Sequence, residues 1–130
     1  MTPPEVSLLP DEDQDYLDAK EWRTEVEEVG SAIWVVVQDY VLPAAYTPRE
    51  VNLLVVLPTA YPNANPDMFW TSPDVMLSTG GWPLRADCQE TKNGRGWQRW
   101  SRHFAGSWRP GVDGLRTYFA AIRRELERGF

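Results

Sequence analysis

The chain has 130 residues, 42% of them hydrophobic and 25% charged, with a formal net charge of −6, which suits one globular domain rather than two. It contains no run of about 18 apolar residues, so no membrane-crossing helix is expected. One cysteine excludes an internal disulfide and offers no cysteine pair for zinc, so neither a metal nor a cofactor is expected.

The opening "MTPPEVSLLPDEDQD" lacks the basic and apolar regions of a signal peptide, which points to a reducing cytoplasm. The domain is expected to span 1–130 with residues 1–9 flexible. Charge is uneven: residues 1–30 hold ten acids and two bases, and residues 92–130 hold nine bases and three acids. A basic C-terminal third facing an acidic N-terminal segment, or an acidic partner, follows from that asymmetry.

In chain order, "LPDEDQDYLDAKEW" predicts a short helix with acids crowding its first turn and Asp11 as its cap. "RTEVEEVGSAIWVVVQDYVLP" predicts a hairpin around Gly30-Ser31. "REVNLLVVLP" and "PDMFWTSP" predict a third and a fourth strand, each stopped by proline. Strands so close in sequence fit an antiparallel meander. From Pro73 to Trp108 little periodicity is visible, and a long irregular segment is expected there. Leu115, Tyr118, Phe119, Ile122 and Leu126 then form one stripe of a C-terminal amphipathic helix, with Asp113 as its cap. The fold class is therefore α+β.

Two motifs carry a resemblance. In "LPTAYPNANPDMFW", a strand ends in Tyr61-Pro62, Pro66 follows, and the next strand bears Trp70. "WRPGVDGL" places Trp108 and Pro110 before the last helix. Together with "WQRWSRH", this order resembles the ubiquitin-conjugating (UBC) fold, in its prokaryotic family E, from about Pro10 to Leu126. The resemblance implies a UBC-like domain with its active site in the irregular segment. It implies transfer of a ubiquitin-like protein from a ThiF-like activating enzyme to a target protein. A JAB-type peptidase belongs to the same pathway, and antiviral defence is the family's context.

Such an enzyme carries its cargo as an ester of a side chain, usually cysteine, because the thiolate is a strong nucleophile. Counting forward from Trp70, Cys88 lies 18 residues on, at the interval the resemblance implies. The class also places its carrier about eight residues before the tryptophan, which here is Trp100 or Ser101, whereas Cys88 lies 20 before Trp108. An insertion after Cys88 reconciles the counts. So does a serine carrier at Ser101 with His103, the only histidine, as its base. The two alternate onto one side of an extended strand. The His-Pro-Asn triplet that steadies the oxyanion in this class is absent before Cys88, where "GWPLRAD" stands. His103 or the amides of "NGRG" are the candidate substitutes.

The expected catalytic residues are thus Cys88, Ser101 and His103. Trp97 and Trp100 are expected as groove walls, and Arg99, Arg102 and Trp108 as partner-binding residues. Two other classes compete. A UBC-shaped adaptor without chemistry would hold the activating enzyme or the ubiquitin-like protein. Arginines interleaved with tryptophans also suit single-stranded nucleic acid, against which the overall acidity argues.

Overall fold

The computed structural model describes residues 8–104, 108–128 and 130. Helix α1 (Asp11–Lys20) is followed by strands β1 (Arg23–Val29), β2 (Ala32–Val41), β3 (Tyr46–Thr47), β4 (Glu50–Leu57), β5 (Phe69–Ser72), β6 (Met76–Leu77), β7 (Cys88–Lys92) and β8 (Arg95–Trp100), then by helix α2 (Leu115–Arg128). Six strands form one antiparallel sheet in the order β1-β2-β4-β5-β8-β7, and β3 pairs with β6 beside it.

The expected meander is β1-β2-β4-β5. The segment expected to be irregular instead carries β6, β7 and β8. Its main feature is a tight hairpin: Lys92 pairs with Arg95 across Asn93 (φ 49°) and Gly94 (φ 77°). Two successive positive φ values define a type I′ turn, and Asn-Gly is the pair that adopts it most readily.

Alternation along the strands separates two apolar clusters. On one face Val35, Val37, Leu53, Val55, Phe69 and Trp100 pack against Leu17 of α1 and the α2 stripe, of which Leu115, Tyr118, Phe119, Ile122 and Leu126 are all buried as expected. On the other face Trp34, Val36, Leu54, Trp70 and Trp97 cluster. In a flat sheet β1 and β8 would lie four spacings apart, roughly 19 Å. Arg95 of β8 nevertheless reaches Glu25 of β1 at 3.9 Å, so the sheet curls around the second cluster.

The ends of the chain meet at Asp13. This buried acid of α1 accepts the Leu115 amide at 3.0 Å and the Tyr61 hydroxyl at 2.5 Å. It therefore caps α2 from 102 residues away. The approach requires Gly114, because a Cβ there would lie 2.7 Å from Asp13 Oδ1. Both sequence-based caps are corrected. Asp113 closes the preceding turn by accepting from the Arg109 amide, at 2.8 Å, and α1 begins after Pro10 with no side-chain cap. Leu9, expected in the flexible start, is buried in the core, while residues 1–7 lie outside the described residues.

Replacing Asp13 with alanine strands a helix-end amide and a tyrosine hydroxyl. Urea unfolding is expected to show a loss of about 2–4 kcal/mol. Burial, reinforced by the hydrogen bond and charge of Asp13, holds the Tyr61 hydroxyl well above the ordinary tyrosine range. Burial, helped by Asp67, does the same for Tyr118. The folded state therefore keeps protons that the unfolded chain releases above about pH 10. Their contribution is fully present below that pH and is lost progressively as pH rises from there towards the raised folded-state range. The urea midpoint is expected to fall above about pH 10, less steeply in Tyr118→Phe.

Candidate functional site

The site is built on β8, whose side chains alternate between the two faces. Gln98 is fully buried on the helix side. Its Oε1 accepts from Thr71 Oγ1 at 3.1 Å and the Val75 amide at 2.6 Å. Its Nε2 donates to the carbonyls of Val75 at 3.0 Å and Ala86 at 2.7 Å. Arg102 continues the task. Nε and Nη2 donate to Leu84 O, and Nη1 donates to Glu125 O at 3.2 Å and approaches the Glu125 carboxylate at 3.7 Å. The Ser101 amide donates to Arg85 O at 2.9 Å. The loop that leads into Cys88 is thereby tied to β8 at Val75, Leu84, Arg85 and Ala86.

Cys88, half-buried and free, opens β7 directly opposite Arg99. Arg99 stands on the same side of the sheet as Cys88 and Trp70. Its Nε donates to Ser101 Oγ at 2.9 Å, and its Nη1 pairs with Glu90 at 3.3 Å. Glu90 in turn accepts from Trp70 Nε1 at 3.2 Å. The result is a line from Trp70 through Glu90 and Arg99 to Ser101, with Cys88 across the ladder from Arg99. The hairpin also explains the two conflicting counts. Residues 88 and 99–101 are neighbours at its open end, so the forward and backward intervals lead to one place.

His103 does not join them. Its Nδ1 lies 2.7 Å from Asp67 Oδ1, and the ring is exposed. No Ser101–His103 hydrogen bond forms among the described residues; Ser101 Oγ accepts from Arg99 instead.

The other expected site residues turn inward. Trp97 and Trp100 cannot wall one groove, because residues three apart on a strand face opposite ways. Trp97 belongs to the tryptophan cluster. Trp100 is fully buried in the helix-side core, stacked on Phe69 at 5.2 Å with its Nε1 donating to Thr71. Arg102, 3% exposed, lies over the Trp100 ring and offers no guanidinium face to a partner. Trp108 donates to Pro62 O at 2.7 Å and packs on Tyr61, joining the two motifs that carry the resemblance. Glu90 and Asp67 were not foreseen. The Asn93-Gly94 turn was the one signal for Glu90: it sets the register that puts Glu90 and Arg99 on one face.

Helix, antiparallel meander, Tyr-Pro turn and a tryptophan-led return into a C-terminal helix together define a UBC-like domain. The model of prokaryotic E2 family E matches residues 9–129, and the chain belongs to that family. No curated protein and no solved structure matches it. Membership indicates a UBC-like role in ubiquitin-like conjugation and implies an activator and a ubiquitin-like protein as partners. Among the described residues no helix is long and apolar enough to cross a membrane, and no cluster of three or more His, Cys, Asp or Glu could hold a metal.

The two arginines are expected to separate experimentally. Arg102→Ala removes a buried cation that satisfies two carbonyls and should cost about 3–5 kcal/mol in urea unfolding. Arg99→Ala removes a partly exposed pair and should stay within about 1 kcal/mol of wild type.

Proposed function

We propose that the protein accepts a ubiquitin-like protein from a ThiF-like activating enzyme as a thioester of Cys88 and transfers it to a target. The Cys88 thiolate attacks the carbonyl carbon of the enzyme-bound acyl group, the tetrahedral oxyanion collapses, and the activating enzyme's thiolate leaves. A target amine then attacks the new thioester, loses a proton and expels the Cys88 thiolate. The reaction suits the cytoplasm, where the carrier thiol stays reduced.

One observation carries the choice of Cys88: it lies directly across the ladder from Arg99, whose guanidinium is held by Glu90 and Ser101. Arg99 supplies the positive charge that a developing oxyanion needs, in the role left empty by the missing asparagine. Ser101 is the weaker carrier, since its hydroxyl oxygen accepts from Arg99 and among the described residues no base is bonded to it. His103, bonded to Asp67 and apart from Cys88, takes no part in this step, and the proton of the incoming amine passes to solvent. The loss of the His-Pro-Asn triplet favours one alternative, a UBC-fold adaptor that binds the activating enzyme or the ubiquitin-like protein without chemistry.

Incubation with the activating enzyme, the ubiquitin-like protein and ATP tests the reading. Wild type and Ser101→Ala are expected to form an adduct that reductant removes, and Cys88→Ala to form none. An adduct that resists reductant, yields to hydroxylamine and needs Ser101 would move the carrier. No adduct beside a charged activating enzyme would leave the adaptor.

A further inference from the structure

β7 is the last strand of the six-stranded sheet, and Cys88 is its first residue. In a two-residue hairpin the pair flanking the loop exchanges hydrogen bonds, and bonded and non-bonded pairs alternate from there. Lys92, Glu90 and Cys88 therefore point their backbone groups inward to Arg95, Trp97 and Arg99. Gln89 and Thr91 point theirs outward. Among the described residues no strand pairs with this edge.

The two edges of the sheet differ. β1, "RTEVEEV", carries an arginine and three glutamates, which discourage pairing. β7 offers neutral Gln89 and Thr91 at its outward positions. Their side chains share the helix-side face with Gln98 and Gly96. There they line a cleft of about 450 Å³ together with Pro73, Asp74, Glu90 and Trp97, with Gln89 donating to Asp74 Oδ2 and Gly96 leaving room beneath. An added strand would find its backbone partners on the edge and space in this cleft for alternate side chains.

We infer that the free edge of β7 is the docking strand for the carboxy-terminal peptide of the ubiquitin-like protein. The peptide adds as a seventh, antiparallel strand, bonded to the N–H and C=O groups of Gln89 and Thr91. Only that direction continues the sheet's antiparallel pattern and also brings the peptide's carboxyl end to Cys88. The occupant rests on the acyl-carrier reading above; the open edge does not.

The experiment has two arms. In the first, amide exchange of wild type is followed by NMR while a synthetic peptide of the cargo's carboxy-terminal residues is added. Gln89 and Thr91 are expected to gain protection and Glu90 to change little. In the second, adduct formation is timed for wild type, Thr91→Ala and Thr91→Pro. Proline removes an outward N–H that the hairpin does not use, a change edge strands tolerate. Thr91→Pro is expected to slow charging about tenfold, and Thr91→Ala, which keeps the N–H and trims only the cleft lining, about twofold at most. Protection of both amides in the free protein, or peptide-induced changes elsewhere, would overturn the inference. Charging with an unprotected edge and a wild-type rate in Thr91→Pro would overturn it while the carrier reading stands. Protection without any adduct would do the reverse, and neither result would remove both. If Thr91→Pro fails to fold, the exchange arm decides alone.

Discussion

One buried amide organises this molecule. A glutamine side chain has two N–H donors and an oxygen with two lone pairs, and in an apolar interior an unmatched one is costly. Gln98 matches both donors and both acceptor sites, and three of its four partners are backbone groups of the loop before Cys88. Apart from the two-residue strand β6, that segment forms no ladder among the described residues, so its polar groups need partners from elsewhere. Gln98 and Arg102 supply them. The position of Cys88 is thus tied to residues that follow it by ten and fourteen places. The same reasoning explains why an arginine from the basic strip is found inside: it serves carbonyls.

Three of the seven tryptophans and part of the uneven charge acquire a common structural meaning. Trp34, Trp70 and Trp97 fill the trough left by the curled sheet, and the two residues flanking the hairpin turn lie over them. Lys92 stands 4.8 Å from the Trp70 ring and Arg95 4.9 Å from that of Trp97. Cations at this range are attracted to the ring faces while their heads stay near water. The acidic N-terminal segment does meet the basic third, but through Asp13 on the α2 amide and Glu25 near Arg95. Arg99 and Arg102 of that basic third are held by Glu90 and Glu125 instead.

What was legible follows from which patterns repeat locally. The α2 stripe, the valine-rich strands and the proline stops each encode their element within a few residues, so the helices and the meander could be read directly. The β7–β8 hairpin was harder. "CQETK" has no apolar alternation because the face it turns to the helices holds Gln89 and Thr91. "RGWQRW" buries Trp97, Gln98 and Trp100 on alternating faces and so mimics an irregular run. Asn93-Gly94 marked the turn, yet without flanking apolar alternation the mark is weak. The capping of α2 by Asp13 has no local signal, because the two lie at opposite ends of the chain.

The hairpin shows how the segment after Cys88 can lengthen without moving that cysteine. An inserted loop of arbitrary shape would displace Cys88 from one of its two flanking motifs. An antiparallel pair returns the chain beside its starting point, whatever its length. Residues 89–100 leave Cys88 and come back to Arg99 and Trp100, adjacent to it on the sheet. The Trp70 strand on one side and the Trp108 return on the other therefore keep the spatial relation that two incompatible sequence intervals concealed. The excursion also places Glu90 where it can hold Arg99, so the insertion that obscured the site supplies one of the groups that builds it.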